Sequence, residues 1–437
     1  MEYKKRFLAN IVIEANTPLK IGSSALDMLQ DAPVQKDWNN LPMILGTSIT
    51  GVLRKEFDHE FANDVFGDED SKKDDNKGSR IIISNALLCD ENMKVNEGLL
   101  LEKSDFLKSF DSLPLRDHVH ITDKGVADTA NSGKFDEEVV YKGSRFKFRI
   151  ELIATQNEEE VFSTIIKKLN SEIFRLGSGT TKGFGDINVL HEYSTYEFFD
   201  LDSDGYREKS SSLNTEYANK LLDEKSELNK HTCYTLKLKS DDFFMFGSGF
   251  GDDDADMTPV YEKVIDYKNK KLSEDMILIP ASSIKGALAH RTTFYYNKLH
   301  EKFIENTNGV LNVVEIFGAA KDDENHSEGA KGKILMSDCF ATKMQTKTFD
   351  HVSIDRFTGG AIDSALFQEK TTVDNSEYTI EILLHNDVEK KSAKIVEAFE
   401  LALKDIVTGM LSLGGATTKG HGIFSGNILK NGESYEI

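Results

Sequence analysis

Cysteine is nearly absent from this chain: three among 437 residues, Cys89, Cys233 and Cys339, far apart and with no CxxC pair. That spacing excludes a disulfide framework and offers no zinc module. Long apolar runs are missing too, and none approaches the roughly 18 residues of a spanning helix, so no membrane partner is expected. The opening Met1-Glu2-Tyr3-Lys4-Lys5-Arg6 leads into strand-like alternation, not into a signal peptide's apolar core. These features predict a soluble protein of a reducing compartment, the cytoplasm. Positive charge is also short, with 53 Lys and Arg against 74 Asp and Glu and a net charge of −21. A protein that coats polyanions through bulk charge is thereby excluded, although a local basic strip can sit on an acidic body.

What is present is a repeat. Six segments recur in the same order. Leu19-Lys20-Ile21-Gly22-Ser23 returns as Phe244-Met245-Phe246-Gly247-Ser248, and Ala32-Pro33-Val34 as Thr258-Pro259-Val260. Thr47-Ser48-Ile49-Thr50-Gly51 returns as Ser282-Ser283-Ile284-Lys285-Gly286, and Val65-Phe66-Gly67 as Ile316-Phe317-Gly318. Asp117-His118-Val119 returns as Asp350-His351-Val352. The glycine-rich Leu176-Gly177-Ser178-Gly179-Thr180-Thr181-Lys182-Gly183-Phe184-Gly185 returns as Leu413-Gly414-Gly415-Ala416-Thr417-Thr418-Lys419-Gly420-His421-Gly422. Gly286 lies 235 residues beyond Gly51 and Gly420 lies 237 beyond Gly183, so the chain is a tandem duplication of a unit of roughly 200 residues. The expected division is residues 1–193, an acidic linker at 194–230 that includes a short helix at 214–228, and residues 231–437.

Each unit reads as strand, helix, strand, hairpin, strand, helix, strand. In the first unit the strands are expected at 7–15, 80–88, 145–153 and 185–190. The helices are expected at 49–61, capped by Thr47 or Ser48, and at 158–174. In the second unit the strands fall at 234–239, 333–340, 378–384 and 422–429, and the helices at 283–303 and 393–410. The fold class is therefore α+β, two tandem ferredoxin-like domains of βαββαβ (RNA-recognition-motif) topology.

The glycine loops carry the sharpest chemistry. Glycines permit close backbone approach, so that several N–H groups of Gly177, Gly179, Gly183 and Gly185, or of Gly414, Gly415, Gly420 and Gly422, can converge on a phosphate. Lys182 and Lys419 would supply counter-charge, and a tight structural turn is the plainer alternative. The loops follow a helix and precede a strand, the wrong order for a P-loop. The helix openings at Ser48 and at Ser282-Ser283 present free N–H groups and a positive dipole end, with Lys285, Arg54 and Arg291 adding charge. Ordinary capping is the alternative there.

These motifs resemble the CRISPR-associated RAMP superfamily, specifically the backbone subunits of type III effector complexes. Ile279-Pro280-Ala281-Ser282-Ser283-Ile284-Lys285-Gly286 is similar to that family's helix-opening motif, Leu45 to Gly51 is a weaker copy, and the glycine loops match its C-terminal signature. The resemblance covers both halves and implies two backbone subunits fused head to tail. It implies a thumb hairpin inserted in each unit, with Arg116, His118, Phe135, Arg356 and Phe367 near nucleic acid. Asp31-Ala32-Pro33-Val34-Gln35-Lys36-Asp37 is similar to the family's catalytic loop, which assigns target-RNA cleavage to Asp31. In the second copy Met257 stands at that position and Asp256 one residue earlier, so either Asp256 serves or the site is dead. The implied cofactor is a divalent ion, Mg or Mn, with its ligands unassigned. The implied partners are a guide CRISPR RNA, its complementary target RNA, other RAMP subunits and the large signature subunit. The alternatives are a non-cleaving guide-binding scaffold and a guide-processing endoribonuclease using His290 or His421.

Overall fold

The strongest alternation in the chain builds the centre of each sheet. The computed structural model describes residues 3–23, 33–68, 76–119, 121, 134–155, 158–222, 230–302, 313–319, 329–342, 345–373 and 376–437. In the first unit Lys5–Ala15 pairs antiparallel with Arg145–Ala154 along ten residues, from Lys5 opposite Ala154 to Glu14 opposite Arg145. Ile187–Val189 and Thr195–Asp200 pair with the other edge of Lys5–Ala15. Ile81–Ile83 and Ala86–Leu88 pair with Arg145–Ala154. The order across the sheet is thus last, first, third, second. The second unit repeats it with Phe424–Lys430, His231–Ser240, Tyr378–His385 and Ile334–Met336.

Period two puts Phe7, Ile11 and Ile13 on one face with Leu152, Phe148 and Phe146, their register partners. That face is the core, covered by the helices Gly46–Arg54 and Glu159–Leu169 through Ile49, Leu53, Phe162 and Ile165. Ala281–Leu299 and Ala393–Val407 do the same in the second unit. Among the described residues no helix is long and apolar enough to cross a membrane.

Three local expectations are corrected. The first helix ends at Arg54, and a separate helix, His59–Phe66, is capped by Asp58, whose carboxylate accepts from Phe61 N at 2.9 Å. Neither opening helix has a Ser or Thr cap. Thr47, Ser48 and Ser283 are exposed in the first turn, and the leading N–H groups are satisfied from the neighbouring strand end. Gly46 N donates to Asn85 Oδ1 (2.9 Å) and Ala281 N to Asp338 Oδ1 (2.8 Å).

The third correction concerns residues 194–222, which are built into the first unit. Thr195–Asp200 is a sheet strand, and the chain beyond it crosses the open sheet face. There Arg149 donates to Ser212 O (2.8 Å) and Asn10 Nδ2 to Thr215 O (2.8 Å). The short helix lies at Asp204–Arg207, and residues 214–222 hold the strand Asn219–Lys220 and no helix. A sheet face carrying Asn10 and Arg149 needs polar partners, and passing backbone carbonyls provide them.

Candidate nucleic-acid interface

The two glycine loops fold alike, bond for bond. Leu176 N donates to Gly185 O at 2.9 Å and Leu413 N to Gly422 O at 2.8 Å. Lys182 N reaches Gly179 O at 2.7 Å, and Lys419 N reaches Ala416 O at 2.9 Å. Each loop closes on the segment after the first strand: Ser178 N donates to Lys20 O (2.9 Å) and Gly415 N to Met245 O (2.7 Å). A Cβ at Gly177 or Gly414, both at positive φ, would run into those same carbonyls, which is why glycine stands there. Gly185 and Gly422 close in the same way on Leu176 O and Leu413 O.

Beside each loop stands the base of a hairpin. Leu115–Val119 pairs with Lys134–Glu138, and Gln345–Ile354 pairs with Ala361–Val373. His118 stacks on Phe135 (centroids 5.1 Å) and His351 on Phe367 (4.8 Å). The glycine-loop lysines lie over the same phenyl rings, Lys182 at 5.8 Å and Lys419 at 4.6 Å. Under each stack is a glutamate, Glu137 or Glu369, and here the copies diverge. Glu137 is bonded by Lys20 and by His118. Burial alone would raise its pKa, but the hydrogen bonds from His118 and Lys20 and the Lys20 charge outweigh burial and pull it down to about 2. In the second unit Met245 replaces Lys20, and the fully buried Glu369 takes Lys419 itself as counter-ion at 2.5 Å. Lys182 is left with no ion pair to any described residue.

Lys182 lies at the seam between the units. Gly183 pairs as a bridge with Ser337, and its Cα faces the Asp338 carboxylate. Lys285, from the second unit's opening helix, donates to Thr181 Oγ1 at 3.0 Å. Burial, and then the charge of Lys182, lower the Lys285 pKa to about 8. The glycine loop of one unit and the helix opening of the next therefore form a single cationic site, which the separate motifs did not reveal.

A buried charge network holds the seam. Arg116 Nε donates to Glu262 at 2.8 Å and Nη1 to Asp338 at 2.5 Å, with the guanidinium 4.8 Å above the Phe184 ring. Burial opposes the Arg116 charge, but the two carboxylates reverse this and raise its pKa. The expectation that Arg116 faces nucleic acid is corrected, since it is 6% exposed and its Nε and Nη1 are committed to the two carboxylates. Arg175 adds a bond to Ser337 Oγ (3.1 Å). Ile265 and Tyr267 of the second unit enter the first unit's core, with Tyr267 donating to Cys89 O at 2.8 Å. Burial pushes the Cys89 thiol up to about 12, so it is inert.

The other candidates are placed as follows. Arg54 donates to Gly67 O (2.6 Å) and Asn63 Oδ1 (2.7 Å), and Arg291 pairs with Asp405 at 2.5 Å, so both guanidiniums already tie helices to their surroundings. Ser282 is half-buried, and Ser48 and Ser283 are exposed. Gly420 is open, with nothing within 4 Å of where a Cβ would stand, whereas Gly183 is closed over by the second unit. Arg356 is exposed at the tip of the second hairpin beside Phe357, which is 99% exposed and which the sequence reading missed. His290 is exposed, and His421 is buried 3.7 Å from Glu369.

Asp31 lies outside the described residues. Asp256 is exposed and accepts from Gln368 N at 2.8 Å, while its neighbours Asp252 and Asp254 are both paired with Lys370. This staples the acidic loop to the second hairpin. Among the described residues no three His, Cys, Asp or Glu side chains stand together as a metal site. Asp256 with its neighbours therefore does not fit a divalent ion.

No curated protein matches the chain significantly. The sequence profile of the RAMP superfamily matches residues 12–188 and 262–425. Each stretch contains one opening helix, one hairpin and one glycine loop, and together they show that the chain belongs to the RAMP superfamily.

Proposed function

We propose that this chain is a guide-RNA-binding backbone subunit of a type III CRISPR effector complex, with two RAMP units that engage consecutive stretches of one RNA. The observation that carries this reading is the seam: two lysines, Lys182 and Lys285, without a carboxylate partner and close enough that one lowers the other's pKa. Such a pair favours a phosphate between them. The strand order, last–first–third–second, supports ferredoxin-like units, and the two hairpins with stacked His–Phe bases are suited to act as thumbs against nucleobases. The exposed aromatic tip at Phe357 fits the same role.

The test is RNA retention by the full chain assembled with its guide. Lys182→Ala/Lys285→Ala removes two phosphate contacts and lowers the slope of log affinity against log salt by about 1.4, at about 0.7 per contact on single strands. Lys419→Ala has a smaller effect, because Lys419 is already neutralised by Glu369. An unchanged slope in the double variant refutes the seam as an RNA site.

Target cleavage is the second part of the proposal. It rests on the loop containing Asp31, where a carboxylate would orient the ribose 2′-OH for attack on its own phosphate and leave a 2′,3′-cyclic phosphate and a 5′-OH. Asp256, docked on the second hairpin, is the candidate for the second unit.

A further inference from the structure

The open face of the first sheet carries a cleft of ≈ 690 Å³ that the RNA reading does not use. Its floor is Arg145 and Lys147 on the strand Arg145–Ala154. Its walls are the loop around Glu91–Lys94, the strap at Asn214 and Lys220, and the second unit's hairpin at Lys268 and Lys270. Both units contribute, so the cleft exists only when they are docked.

Six of the lining side chains are Lys or Arg and three are Glu, an inversion of the chain's acidic balance. Two of the cations are bonded internally, one to a carboxylate and one, which keeps its charge uncompensated, to a neutral amide. Arg145 pairs with Glu14 at 2.6 Å, and Lys270 donates to Asn92 Oδ1 at 2.9 Å. Lys147 is not. It is 8% exposed, flanked in register by Val12 and Leu87, and makes no hydrogen bond or ion pair with any described residue. Its stem is packed in the sheet while its ammonium lines the cleft with no protein counter-ion, so an anion in the cleft would gain a charge-assisted contact there. Tyr193, 39% exposed, offers a ring on the same wall.

We propose that this cleft binds a small phosphorylated ligand of the nucleoside-polyphosphate class, with phosphate on Lys147, Lys268 and Lys270 and the base against Tyr193. The volume lies within the roughly 300–1,000 Å³ of small-molecule pockets. Walls from several segments suit a whole small molecule better than a through-running strand. Neither seam lysine, Lys182 or Lys285, lines the cleft.

Isothermal titration of the full-length, RNA-free chain with ATP, pyrophosphate and adenosine in separate runs tests this. ATP and pyrophosphate bind and adenosine does not bind detectably. Lys147→Met weakens both anions by about tenfold or more, the loss of one charge-assisted contact, without lowering Tm. Lys268→Ala/Lys270→Ala, at exposed positions that leave the fold intact, weakens them similarly. Lys182→Met/Lys285→Met leaves ATP affinity within about twofold. The proposal is overturned if neither anion binds, if adenosine binds as tightly as ATP, or if Lys147→Met binds like wild type. It is equally overturned if affinity falls only in the Lys182/Lys285 variant, which places the ligand at the seam.

Discussion

Arg116→Met removes the cation at the centre of the seam and leaves two buried carboxylates facing each other. Their side chains are 3% (Glu262) and 0% (Asp338) exposed, and Asp338 is held in place by its bond to Ala281 N. Breaking a buried pair by deleting one partner costs about 3–5 kcal/mol, a large share of the ~5–15 kcal/mol that holds a domain folded. The loss falls on the docking of the units, since Arg116 belongs to the first and both carboxylates to the second. Urea unfolding of the full chain should change from one transition to two, or shift to a lower midpoint.

The deficit has a pH signature. Burial already raises the Glu262 pKa in the intact protein, and without Arg116 it rises further. A carboxyl whose folded pKa is raised loses stability as pH climbs through that value. The variant is therefore closest to wild type near pH 5 and furthest from it at pH 8. Arg116→Met/Glu262→Gln/Asp338→Asn should recover most of the loss, because a fully neutral replacement strands no charge. The first unit already uses Asn85 for the same helix-opening bond. A loss below about 1 kcal/mol at pH 8, or a deficit independent of pH, refutes the argument.

RNA affinity at constant ionic strength should fall between pH 7 and 9, since the Lys285 pKa is about 8, and Lys285→Arg should flatten that profile in filter binding. The RNA-free fold should gain stability over the same rise, because a lysine with a lowered folded pKa sheds its proton more readily folded than unfolded. Gly183→Asp places a side chain and a like charge against Asp338, so it should undock the units as well as release RNA. Gly420→Asp meets nothing and costs only about 1–2 kcal/mol for its positive φ, so RNA retention should drop with the melting profile nearly intact. In mapping of end-labelled target RNA, Asp31→Ala should erase one cut and Asp256→Ala another. Undiminished cleavage in Asp31→Ala defeats that assignment, and a silent Asp256→Ala marks the second unit as inactive.

The order of strands and helices, the duplication and the glycine loops were all legible in the sequence. They rest on local patterns: alternation along Lys5–Ala15, helical period along Ala393–Val407, and glycines where backbone must approach backbone. Helix caps were misread because Ser and Thr near a start are common caps, whereas here the acceptor comes from Asn85 and Asp338, 39 and 57 residues away. The strap at residues 194–222 was misread as a linker because polar composition does not distinguish a solvated segment from one that satisfies a polar sheet face.

What tertiary structure alone decided is which charges remain free. By sequence Lys182 and Lys419 are the same residue in the same motif, and both were assigned to phosphate. Folding brings Lys20 onto Glu137 in one unit and leaves Glu369 to capture Lys419 in the other, where Met245 takes the place of Lys20. Arg116, which looked like a nucleic-acid contact, is consumed by carboxylates 146 and 222 residues away. A charge's availability depends on its nearest counter-ion in space, and that neighbour is set by long-range packing, which no local pattern encodes.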